Sequence, residues 1–138
     1  SLYYASMLKE LSTIINKDLI EKYHDFKYKL NIKKIVKEIA GISKINKETV
    51  ELCEQRGKKI PDGIVYSIVL RLRELYLLNN LQSKKAYSKE NFIRICGEEN
   101  YSAYTRIKRN KKELNDILPS EIKSLLELTE KWLRELKD

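Results

Sequence analysis

Histidine, cysteine, glycine and proline are all scarce in this chain, and their scarcity excludes several kinds of site. His24 is the single histidine, so any Ser–His or Cys–His mechanism would depend on it. Its neighbour Asp25 would point about 100° away on a helix, so we interpret His24 as a structural residue. Cys53 and Cys96 have no second ligand at metal-binding spacing, which predicts two buried thiols and no metal site.

The four glycines and two prolines form no linker, repeat or low-complexity segment. There is also no Gly-rich phosphate loop, no Gly-x-Ser-x-Gly elbow, no His-Glu-x-x-His and no Asp-x-Asp pair. We therefore expect one domain over residues 1–138, whether whole or part of a longer protein, with no catalytic residue and no cofactor.

Long apolar segments of the membrane-spanning kind are missing as well. The first residues lack a basic lead followed by a long apolar stretch, which predicts a cytoplasmic protein without a membrane partner. Lys, Glu, Ile and Tyr are abundant while Gln occurs twice, a bias that favours a thermophilic, archaeal source.

One stretch is apolar at almost every position and runs from residue 64 to about residue 80. It is too long for a typical strand, so we predict a helix buried on most sides, with other helices packed around it. Asp62 is expected to cap its first turn, and Arg71 to pair with Glu74 three residues later.

The chain before this stretch has apolar residues at helical spacing. Residues 2–30 predict two helices or one bent helix. A shorter helix over 31–39 is expected to end at Gly41, and Asn46 to cap a helix that ends at Gly57.

The chain after the apolar stretch predicts three more helices. Ser88 should cap a helix that Gly97 closes, Asn100 should cap a helix from Tyr101 to about Leu114, and the last helix opens near Pro119. No segment alternates long enough for a strand. The predicted fold is all-α, with about seven helices.

Positive charge is concentrated after the apolar stretch. The net charge of the chain is +8, of which +6 comes from residues 84–112, while residues 113–138 carry −3. Such a patch attracts phosphates, although basic residues near a helix C-terminus also complement the helix dipole without any ligand.

The segment 72–112 has the spacing of a helix-turn-helix, with Gly97 in the expected turn before a basic helix. Our candidate contacts with phosphates or bases are basic, hydroxyl and aromatic residues of the two helices: Arg71, Arg73, Tyr101, Tyr104, Thr105, Arg106, Lys108, Arg109 and Lys112. A solvated basic face explains the same pattern without a ligand.

The stretch Ile64–Leu78, with Tyr87–Phe92 and Tyr101–Lys108, resembles the helical C-terminal region of archaeal proteins that carry an N-terminal DNA polymerase β-like nucleotidyltransferase domain. The likeness covers roughly residues 60–138. The Gly-Ser motif and paired aspartates of the catalytic domain are absent, so the resemblance implies an accessory domain whose catalytic partner is another domain or chain.

Three hypotheses follow from these patterns. The first is a non-catalytic basic domain that accompanies a nucleotidyltransferase and contacts RNA or nucleotide phosphates. The second is a helix-turn-helix DNA-binding protein that uses residues 88–112, which a homodimer with two such helices about 34 Å apart would favour. The third is a protein-interaction module, which an exposed apolar patch without a basic face would favour.

Overall fold

The computed structural model describes residues 22–83 and 88–137, with side chains for 31–83 and 88–136. The described residues form five helices: α1 (Lys22–Gln55), α2 (Asp62–Gln82), α3 (Lys89–Cys96), α4 (Glu98–Lys108) and α5 (Pro119–Lys137). An isolated antiparallel bridge joins Ile60 to Ile117. The prediction of an all-α fold is confirmed. Of the one or two helices expected over residues 2–30, the part up to residue 21 lies outside the described part of the chain, while residues 22–30 belong to α1 and continue without a break into the helix expected over 31–39.

Helix α2 packs against each of the other four described helices. Its apolar side chains point to several sides, and Val65, Val69, Leu72, Leu75 and Leu78 are fully buried. Burial of this kind contributes about 1.5–3 kcal/mol for each large side chain.

Two apolar clusters share α2. The larger cluster joins α2 to α3, α4, α5 and the C-terminal half of α1, with Phe92 and Tyr104 as its largest fully buried side chains. The smaller cluster joins Ile35 and Ile39 of α1 to Leu75 and Leu78 of α2, and to Leu133 of α5.

The N-terminal part of the described chain corrects two predictions. Helix α1 runs without a break through Gly41 and Asn46, where we expected an end and a new cap. Gly41 costs a helix only about 1 kcal/mol, which the packing of α1 against α2 and α5 offsets. The Asn46 amide donates a hydrogen bond to Ser67 Oγ of α2 (3.0 Å) and therefore joins two helices.

Both ends of α3, the helix that contains Cys96, agree with the prediction from the sequence. Ser88 Oγ accepts a hydrogen bond from the Asn91 amide (3.2 Å), and Gly97 ends α3 with a φ of 85°, as predicted. Cys96 is buried as predicted, and burial raises the pKa of its thiol to about 12. Cys53 is only half-buried.

The next helix differs from its predicted range of Tyr101 to Leu114. Helix α4 begins at Glu98, and Gly97 alone separates it from α3, so residues 97–100 are not the expected turn. It ends at Lys108, before Asn110, which has a positive φ of 54°. Asn100 lies inside the first turn, where its amide donates to the carbonyls of Cys96 and Glu121 instead of capping the helix.

Candidate functional site

Two predicted site residues of α4, Tyr101 and Lys108, lie against the ring of Tyr104. This ring is 1% exposed and is stacked with Tyr66 (centroids 5.2 Å apart) and with Tyr101 (5.4 Å). Arg73 of α2 donates a hydrogen bond to the Tyr104 hydroxyl (3.1 Å). Lys108 Nζ lies 5.8 Å from the centroid of the same ring, within cation–π range. Tyr104 therefore positions two cations, and its burial excludes it from stacking on a base.

Lys108 has further cations around it. Partial burial lowers the pKa of its ammonium, and Arg73, Lys89 and Arg109 lower it further. Lys89 is the first residue of α3, so the fold brings the start of α3 close to the end of α4. We call these four residues the basic cluster. Like charges held together in this way favour a bound anion.

Arg106, by contrast, is held by protein groups. Its Nε and Nη2 donate to the two carboxylate oxygens of Asp62 (2.8 and 3.2 Å), and the backbone amides of Leu114 and Asn115 donate to the same carboxylate (3.0 and 3.2 Å). The Asn115 side chain accepts from the Asp62 amide (2.8 Å), and Asp116 lies 3.5 Å from Arg106 Nη2. Asp62 is completely buried and joins α2, α4 and the following loop, so it is not the simple cap we predicted.

The same hydrogen bonds shift the pKa values of Asp62 and Arg106. The hydrogen bond from Arg106 holds the pKa of Asp62 below its ordinary value, helped by the two backbone amides and against the effect of burial. The Asp62 carboxylate in turn raises the pKa of Arg106. The positive charge of Arg106 is thus neutralised within the protein, and the residue has little left for a phosphate.

Arg71 is also held inside the protein. It is 7% exposed and forms the predicted ion pair with Glu74, which is fully buried. Burial raises the pKa of Glu74 to about 7, although the attraction of Arg71 opposes the shift. We therefore place Arg71 in the structural interior and not in the candidate site.

The remaining predicted residues lie at or beyond the end of α4. The Thr105 hydroxyl donates to the carbonyl of Ser102 one turn earlier (2.9 Å). Arg109 and Lys112 are exposed, and Lys112 lies after the helix, where we expected it to be helical. The site therefore consists of the basic cluster, with Tyr101 beside it, stacked on Tyr104.

The opposite end of α4 is acidic. Glu98 and Glu99 are exposed in its first turn and border an open pocket of about 350 Å³, together with Ser102, Asp116 and the partly exposed Arg106. We call Glu98 and Glu99 the acidic corner. Carboxylates stabilise a helix N-terminus, so this corner has a structural explanation of its own.

Sequence patterns did not predict the effect of Lys89 on Lys108 or the pairing of Asp62 with Arg106. Lys89 belongs to a different helix from Lys108, and Asp62 is 44 residues from Arg106. The local signals at both positions were those of ordinary helix starts.

Within residues 22–83 and 88–137, no three His, Cys, Asp or Glu side chains are grouped as metal ligands would be. None of the five described helices combines the length and the apolar character needed to span a membrane. No family model matches the chain, and neither a curated protein nor a solved structure is significantly similar to it.

Proposed function

We propose that this protein is a non-catalytic basic helical domain that accompanies a nucleotidyltransferase and contacts RNA or nucleotide phosphates. The observation that carries the proposal is the basic cluster, in which Lys108 lies over the Tyr104 ring, Arg73 donates to the hydroxyl of that ring, and Lys89 and Arg109 add like charge. The resemblance of residues 60–138 to nucleotidyltransferase C-terminal regions supplies the link to that chemistry. Helix α2 would be the central helix of the domain, since it contacts each of the other described helices.

The transfer chemistry itself belongs to a partner domain or chain under this proposal. The sequence has neither the Gly-Ser motif nor the paired aspartates that hold Mg²⁺ in the catalytic domain. The basic cluster would position the phosphates of an acceptor or of a nucleotide for that partner.

The helix-turn-helix alternative fits the geometry less well. Such motifs place the N-terminal residues of the second helix against base edges, after a turn of three or four residues. Here one residue, Gly97, separates α3 from α4, and the first turn of α4 presents Glu98 and Glu99. These carboxylates would face the phosphates of the duplex and repel them.

A protein-interaction module is the second candidate. Among residues 31–83 and 88–136, four large apolar side chains are exposed: Ile45, Leu52, Leu114 and Leu118. Ile45 and Leu52 lie on α1, whereas Leu114 and Leu118 follow Arg109 in the segment before α5.

Fluorescence anisotropy with labelled single-stranded RNA, duplex DNA and a nucleoside triphosphate tests the first proposal over a salt titration. The variant is Lys89→Ala/Lys108→Ala/Arg109→Ala, and the matched control is Lys33→Ala/Lys37→Ala/Lys44→Ala, which removes three exposed lysines from α1. We expect salt-sensitive binding of RNA or nucleotide that the first variant loses and the control keeps. For single strands, each lost phosphate contact should reduce the salt slope by about 0.7.

Arg106→Ala tests whether Arg106 has a structural role instead of a contact with the ligand. Because Arg106 neutralises buried Asp62, its loss should lower the free energy of unfolding by about 3 kcal/mol, measured by urea denaturation. Equal loss of binding in the cluster variant and the α1 control would contradict the proposal. Absence of binding at physiological salt would move the protein-interaction candidate to first place.

A further inference from the structure

Two cations of the basic cluster, Lys108 and Arg73, meet at Tyr104. Lys108 lies over the Tyr104 ring, and Arg73 contacts the hydroxyl of that ring. Lys89 is the first residue of α3, and Arg109 follows Lys108 in the chain. The positive charges of both lower the pKa of Lys108. The cations come from α2, α3 and the end of α4, so they do not form a line along one helix.

The positive surface also ends quickly along α4. Arg106, which would continue it, is neutralised by Asp62, and Glu98 and Glu99 occupy the first turn. A helix of eleven residues is about 16 Å long, so a nucleic-acid strand that followed α4 would pass from cations to carboxylates within that length. The surface suits a short ligand with concentrated charge.

The structure gives little support for the recognition of a base at the basic cluster. Tyr104 is 1% exposed, and its ring is already stacked with Tyr66 and Tyr101. The hydrogen-bonding groups at the site are positively charged donors, which bind phosphate oxygens whatever the base.

We infer that the basic cluster binds a compact polyphosphate, the triphosphate group of a nucleotide, in preference to the backbone of a nucleic-acid strand. This inference rests on the proposed function and names the ligand of the same site. A triphosphate carries several negative charges in one short group, whereas a backbone carries one charge on each separated phosphate. The triphosphate can belong to a free nucleotide or to the 5′ end of an RNA.

The test compares ligands whose negative charge is concentrated in one group with ligands whose charge is smaller or spread along a strand. Ribose-labelled ATP is the anisotropy probe, with the full chain, at fixed ionic strength and without Mg²⁺. The competitors are inorganic tripolyphosphate, UTP, AMP, a pentanucleotide with a 5′-hydroxyl and the same pentanucleotide with a 5′-triphosphate. The 5′-hydroxyl pentanucleotide is the matched control, because its four phosphodiester charges are spread along the strand.

We expect tripolyphosphate, UTP and the 5′-triphosphate pentanucleotide to compete at least about tenfold more strongly than AMP or the 5′-hydroxyl pentanucleotide, which corresponds to 1.4 kcal/mol. Lys108→Ala should weaken probe binding about tenfold, while Lys37→Ala should leave it within about twofold. If the 5′-triphosphate pentanucleotide competes more strongly than UTP, the source is an RNA end. The reverse order identifies the free nucleotide, and both orders support the inference.

Two outcomes overturn the inference in different ways. If the 5′-hydroxyl pentanucleotide competes as strongly as tripolyphosphate, and the triple cluster variant abolishes its binding, the ligand is a backbone and the proposed function survives. If neither the probe nor labelled RNA binds the wild type, the proposed function fails together with the inference.

Discussion

Arg71 and Glu74 show how charge is managed inside this protein. Both side chains are buried on α2, three residues apart, and form an ion pair. Glu74 Oε2 has no hydrogen-bond partner among the residues that the structure describes, and Glu38 of the neighbouring α1 adds a like charge. Burial therefore outweighs the attraction of Arg71 and raises the pKa of Glu74 to about 7.

This shift predicts a loss of stability as the pH rises. The folded state keeps the Glu74 proton up to about pH 7, while the unfolded chain releases it near pH 4.5. Between these values the folded state binds more protons, so raising the pH favours unfolding. From pH 5 to pH 8 we expect the wild type to lose about 2 kcal/mol relative to Glu74→Gln, measured by urea denaturation at each pH.

The control for this prediction is Glu127→Gln, an exposed position on α5 that should keep the wild-type pH dependence. Glu74→Gln can be less stable at every pH, because it leaves the Arg71 charge without its carboxylate. The pH dependence is therefore the measured quantity. A parallel pH dependence in wild type and Glu74→Gln would show that Glu74 is ionised throughout the folded state.

Single residues also show what the sequence could not supply. The pairing of Arg71 with Glu74 was predictable, because helical spacing alone brings them together. The partner of Arg106 was not, since Asp62 lies 44 residues away and meets it only through the packing of α2 against α4. The basic pattern of residues 105–112 therefore placed Arg106 in a binding site, although the structure gives it a buried partner.

At the scale of helices, ends set by local chemistry were predicted and ends set by packing were not. Ser88 and Gly97 bound α3 as expected, through a side-chain cap and a positive φ. Asn46 and Asn100 carry the same capping signal, but their amides bridge to Ser67 and to Glu121 on other helices. A short amide looks the same in sequence whether it caps its own helix or joins two helices.

The two glycines Gly41 and Gly97 make this difference measurable. Gly41 lies within α1, where an added Cβ would meet no atom within 4 Å, so Gly41→Ala should raise the free energy of unfolding by about 0.5–1 kcal/mol. Gly97 has a φ of 85° that other residues rarely adopt, so Gly97→Ala should lower it by about 1–3 kcal/mol.

Urea denaturation at pH 7 compares both variants with the wild type, and each glycine serves as the control for the other. The Cβ at position 97 would lie 3.9 Å from Asn100 Nδ2, an ordinary contact, so backbone strain is the expected cause of the loss. Destabilisation by Gly41→Ala would show that α1 is bent or interrupted at this point in solution.

Over the whole molecule, the charge is arranged more unevenly than the sequence counts suggest. Residues 84–112 carry a net +6, which predicted one basic face. In the structure, Lys89 and Lys108 come together, Arg106 is neutralised, and Glu98 and Glu99 form the acidic corner. The net charge of this segment can be counted from the sequence. How the charge is divided between the two ends of α4 depends on the single-residue connection at Gly97.

This arrangement predicts that the acidic corner limits the binding of strands but not of compact ligands. Helix α4 is about 16 Å long, whereas charges more than about 10 Å apart in water are largely screened at 0.1 M salt. Glu98→Gln/Glu99→Gln should therefore raise the affinity for a 5′-hydroxyl RNA of twelve nucleotides about threefold or more, while tripolyphosphate competition stays within about twofold. Anisotropy measures both affinities, and Glu127→Gln/Glu135→Gln on α5 removes the same charge from exposed positions as a control.

An equal gain in affinity for both ligands would mean that the acidic corner acts through the net charge of the molecule. An unchanged RNA affinity would mean that the strand does not follow α4. In either case, the short positive surface would no longer explain a preference for a triphosphate.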